Sequence, residues 1–103
     1  MTEALFFQNW QDKVIFPPRG AQPVFLEDTD KYTVILGGIE AGQKIPFHPE
    51  AKGIYYILEG SGVMTVNEEK FDLTAGSIII TPDGAKRGID AETRLAFMAV
   101  KIK

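Results

Sequence analysis

Short apolar runs separated by turn-forming residues dominate the chain. Residues 31–39 (KYTVILGGI) are β-branched and aromatic and predict a strand. Residues 53–58 (GIYYIL) are nearly continuous apolar, the pattern of a strand covered on both faces. Residues 63–66 (VMTV) and 70–73 (KFDL) flank Asn67, Glu68 and Glu69 and predict a hairpin. A further strand over 77–81 (SIIIT) should stop at a turn over Pro82, Asp83 and Gly84, and residues 94–100 (RLAFMAV) form the last one. Residues 16–23 (FPPRGAQP) and 27–30 (EDTD) read as loops, because proline lacks a ladder donor and aspartate favours turns. The one helical candidate spans residues 3–10, where Leu5, Phe6 and Trp10 could share a face. Those side chains are costly to expose, so this segment is expected to pack across the molecule or onto a second subunit. Turn signals at intervals of about 8–12 residues indicate an all-β sandwich or closed barrel.

Composition narrows the chemistry. The 103 residues fit one domain and carry a net charge of −3, with 45% hydrophobic and 24% charged residues. An acidic total argues against nucleic-acid or acidic-membrane partners, which need a basic face. The beginning of the chain lacks a basic stretch followed by a long apolar one, and no apolar run reaches the ~18 residues of a membrane span, so a cytoplasmic location is expected. With no cysteine and one histidine, His48, any metal site built from this chain has at most one imidazole. Three-histidine zinc and the two-histidine-one-carboxylate iron triad are thereby excluded for a single chain.

Residues 47–60 (FHPEAKGIYYILEG) and 76–87 (GSIIITPDGAKR) carry a more specific signal. Gly42, a gap of QKIPF, His48, Pro49, Glu50, Gly53 and Gly60 resemble the first motif of the cupin family of small β-barrels. Gly76, a gap of SIIIT, Pro82, Gly84 and Arg87 resemble its second motif. The resemblance covers about residues 34–100, preceded by an arm and N-terminal strands over 1–33. It implies an antiparallel jelly-roll barrel, the double-stranded β-helix. It also implies that the family's four metal-binding positions fall on His48, Glu50, Gly53 and Arg87. Gly53 has no donor atom and arginine is a permanent cation, so two of four ligands are missing and a third is exchanged for a carboxylate.

The expectation is therefore a barrel with no cofactor, binding a small polar or anionic molecule through His48, Glu50, Tyr55 and Arg87. Glu50 and Arg87 are expected to pair, either as a structural contact or as one that a ligand anion disrupts. Tyr55 shares the parity of Gly53 and Ile57 and should point inward, while Tyr56 and Leu58 face the other way. Met64, Phe97 and Met98 are expected to line the core or the pocket. Two other readings stand beside this one. An enzyme would use His48 as base with Tyr55 or Glu50 as partner, or a divalent metal held by His48 and Glu50; relatives of this fold include isomerases, epimerases and dioxygenases, so the fold names no reaction. A structural reading makes the barrel an inert dimer module. A homodimer is expected in any case, because Leu5, Phe6, Phe7 and Trp10 need an apolar partner.

Overall fold

The computed structural model describes residues 3–103. Met1 and Thr2, which belong to the stretch read as lacking a leader signature, lie outside it. After one turn of 3-10 helix at Trp10–Asp12 come nine strands among the described residues: β1 (Val24–Asp28), β2 (Tyr32–Ile39), β3 (Lys44–Pro49), β4 (Gly53–Glu59), β5 (Ser61–Val66), β6 (Glu69–Thr74), β7 (Ile78–Thr81), β8 (Lys86–Ala91) and β9 (Leu95–Ile102). They form a five-stranded sheet in the order β1-β2-β9-β4-β7 and a four-stranded sheet in the order β3-β8-β5-β6. Every pairing is antiparallel. This is the double-stranded β-helix implied by the two motifs.

Period-two alternation determines what fills the space between the sheets. Ile35, Tyr55, Ile57 and Phe97 point inward from the larger sheet, and Met64, Val66, Leu73 and Ile89 from the smaller one. The aromatic rings of Tyr55 and Phe97 meet at 5.8 Å between centroids, tilted by 47°. Phe97 also packs its ring against Gly37, its cross-strand partner, where any Cβ would collide with the ring. The motif glycines do the turning: Gly42, Gly60, Gly76 and Gly84 all have positive φ. Gly20 shares that region, and Asn67 is the one non-glycine among the described residues there; it turns the β5–β6 hairpin.

Several expectations are corrected. Residues 3–9 form no helix; only Trp10–Asp12 coil, and Asn9 offers no side-chain cap. A helix of so few residues gains too few hydrogen bonds to offset nucleation unless packing supports it, and Leu5 and Phe6 are exposed. The acidic cluster at 27–30 is only half loop, since Glu27 and Asp28 belong to β1. β4 is covered on one face only: Gly53, Tyr55 and Ile57 are buried, whereas Tyr56 is exposed. Met98 shares the outward parity of Tyr56, its cross-strand partner, and lies outside the inner core.

Candidate ligand-binding site

A cavity of about 420 Å³ opens between the sheets at the end where β3 leads into β4. Ile35, Met64, Ile89 and Phe97 form its apolar walls, and Lys44, His48, Glu50, Tyr55, Arg87 and Lys101 bring polar groups to it. All four residues singled out from the sequence line this cavity. Their mutual contacts differ from those expected.

Arg87 lies on β8, opposite His48 in the β3–β8 register, and is only 2% exposed. Among the described residues its guanidinium pairs with no carboxylate. Nε donates to the Ala85 carbonyl at 3.2 Å, and one terminal nitrogen donates to the Ala51 carbonyl at 2.7 Å and to the Thr81 hydroxyl. The other donates to the carbonyls of Glu50 at 2.8 Å, Ala85 at 3.0 Å and Pro82 at 3.1 Å. An arginine has five N–H donors, so this set leaves none for a ligand. Arg87 thus touches Glu50 through its main chain, and the expected Glu50–Arg87 side-chain pair is absent. The reason is local: the turn over Pro82–Gly84 and the segment between β3 and β4 present carbonyl oxygens into a closed niche, and a planar fork can bridge them. The guanidinium therefore straps the two motif loops together.

The Glu50 carboxylate turns instead towards Lys101 and His48. It accepts from Lys101 Nζ at 2.8 Å and contacts His48 Nε2 at 2.8 Å. Burial pushes its carboxyl upward, but the hydrogen bonds from Lys101 and His48 outweigh that effect, and the net shift is below the ordinary value of 4.5. The other ring nitrogen of His48 meets the Pro46 carbonyl oxygen. Both ring nitrogens are thus engaged by oxygen atoms of the protein, which weighs against His48 as a base in this arrangement.

Tyr55 is 4% exposed, and its hydroxyl has no hydrogen-bond partner among the described residues, although no fully enclosed polar atom there lacks one. The hydroxyl therefore opens onto the cavity. Lys101 was missed from the sequence because the last strand was ended at residue 100. That strand runs on to Ile102, and period-two alternation from Phe97 and Ala99 carries residue 101 inward. Thr81, fully buried, was also missed; it accepts from the Gly53 amide at 3.2 Å and from Arg87.

Comparison with known proteins bears on this geometry. The Cupin domain family profile matches residues 31–101. The chain belongs to the cupin domain family. A double-stranded β-helix protein of Klebsiella pneumoniae, described as uncharacterized, has a similar structure, with TM-score 0.86 and 19% identity over 97% of this chain and 90% of that one. So has TT1209 of Thermus thermophilus, with TM-score 0.85 and 22% identity over 93% of this chain and 95% of that one. In sequence, the uncharacterized protein MJ1618 of Methanocaldococcus jannaschii is 49% identical over 35 residues, which span 34% of this chain and 28% of that protein.

Within the cupin family, the donor set of this chain does not suit the metal that many members hold. A Cβ built on Gly53, at the position of the family's glutamate ligand, would lie 2.8 Å from the Tyr55 ring and 3.0 Å from the Arg87 guanidinium. The niche that a carboxylate ligand would occupy is filled by a cation. Lys101 places a second cation directly on Glu50, one of the two remaining donors. Two fixed cations beside two donors repel a metal ion rather than recruit one.

Proposed function

We propose that this cupin is a metal-independent barrel that binds a small anionic molecule in the cavity between its sheets. The observation that carries the reading is the charge balance of the cavity. Arg87, buried without a carboxylate partner, Lys101 and, at the rim, Lys44 line it, and Glu50 is the one acidic side chain in its lining among the described residues. The protein as a whole has net charge −3, so a positive interior is a local feature. Charge held in a low-dielectric cleft acts strongly on a ligand, even where the guanidinium makes no direct contact. A volume near the lower end of ordinary ligand pockets suits a compact molecule.

The test is a thermal-shift screen of chelator-treated protein against small anions and their neutral isosteres. The reading expects anions to raise the melting temperature without added metal. Stabilisation that appears only when a divalent metal is restored would contradict it.

A further inference from the structure

Resting on that reading, a more specific assignment follows from which donors remain unused. Arg87 has spent its N–H groups on carbonyls and Thr81. His48 has both nitrogens engaged. Lys44 sits at the rim, with its side chain 71% exposed and its ammonium drawn towards Asp90 at 3.6 Å. Lys101 directs one of its three N–H donors to Glu50. Tyr55, nearly fully buried, has a hydroxyl with no partner among the described residues. These two residues are neighbours. Lys101 faces Gly53 across the β4–β9 ladder, and Tyr55 lies two residues further along β4 on the same inward face. Gly53 contributes no side chain, and the Tyr55 ring leans over it, towards the side of Lys101.

We infer that Lys101 and Tyr55 form a carboxylate-binding pair, and that the ligand is a monocarboxylate with an apolar body. Ammonium and hydroxyl bind the two carboxylate oxygens, and the walls of Ile35, Met64, Ile89 and Phe97 take the rest of the molecule. Glu50 serves as the internal carboxylate that partners Lys101 and His48 when no ligand is bound. Ligand and Glu50 then compete for the same ammonium. A phosphate carries two charges and no apolar body, and matches the walls poorly.

Titration calorimetry at neutral pH and low salt, with benzoate, benzyl alcohol and inorganic phosphate, tests the assignment. Benzoate should bind about tenfold or more tightly than either of the others, the effect of one charge-assisted hydrogen bond. Lys101→Met should abolish the preference for benzoate over benzyl alcohol, and Lys101→Arg should keep it. Tyr55→Phe should weaken benzoate by about threefold to tenfold and leave benzyl alcohol unchanged. Glu50→Gln should strengthen benzoate by removing its competitor, an outcome that a merely structural Glu50 would not give. Equal binding of benzoate and benzyl alcohol would overturn the carboxylate pair while leaving a ligand-binding barrel. Phosphate binding as well as benzoate would overturn the apolar ligand class while leaving an anion site. Weaker benzoate binding by a folded Glu50→Gln variant would overturn the competition.

Discussion

Arg87 and Glu50, at two positions where the cupin motifs carry metal ligands, make their contacts within the protein itself. Arg87 bridges the carbonyls of Glu50, Ala51, Pro82 and Ala85, which lie on two separate loops. Some of these oxygens have second donors: Glu50 O also accepts from the Gly84 amide at 2.7 Å, and Ala85 O from the Glu50 amide at 3.3 Å. Arg87→Met should therefore cost about 2–4 kcal/mol, several charge-assisted bonds less the desolvation no longer required. Arg87→Lys should recover only part of that, since one ammonium cannot reach all the acceptors. Chemical denaturation measures both. For Glu50 the sign follows from a folded carboxyl held below 4.5. Its contribution to stability is complete above the unfolded value and is lost as pH falls through the lower folded one. The wild type should thus lose stability on acidification below about pH 4.5, and Glu50→Gln should show a shallower acid limb in melts across pH 3–6.

At the scale of elements, strands with a clear apolar rhythm were legible and strands interrupted by proline or charge were not. β2, β4, β7 and β9 lie close to where periodicity put them. β3 (KIPFHP) carries two prolines and no apolar rhythm; it is an edge strand, where a missing ladder donor is tolerated. β8 (KRGIDA) lacks an apolar rhythm because its inward positions hold Arg87 alongside Ile89 and Ala91. The same strand explains the mistaken ion pair: the motif placed Arg87 inside, but nothing in the sequence reveals main-chain oxygens converging on it. Turns were more transparent, since glycine at a reversal has one physical reading. Two of them should respond differently to a methyl group. Gly42 at φ 83° has open space around it, so Gly42→Ala should cost about 1–2 kcal/mol from backbone strain alone. Gly60 at φ 88° would put its Cβ onto the Arg94 carbonyl oxygen, so Gly60→Ala should cost clearly more. Equal losses in urea melts would contradict this account of the β4–β5 turn.

The whole molecule leaves one large surface to be covered. On the outer face of the five-stranded sheet, Ile78, Tyr56, Met98 and Leu36 align across the strands, and Ile80, Ile54, Val100 and Val34 align in the next row. Leu36 is buried, but Ile78 and Ile80 are 66% and 59% exposed, and Phe6 of the N-terminal arm is 83% exposed. Contiguous apolar surface of this kind is unusual on an isolated small protein. The account expects a homodimer that covers it, disrupted by Ile78→Lys with Ile80→Lys. Light scattering giving a mass near 11.4 kDa for the wild type at high micromolar concentration would contradict that expectation.

The central claim, a cupin barrel that binds an anion without a metal, is tested most directly by native mass spectrometry with elemental analysis of protein purified gently from its source. The account predicts an added mass belonging to a small organic acid, displaced in Lys101→Met, and no stoichiometric zinc, iron, nickel or manganese. One such metal per chain, lost in His48→Ala, would contradict it.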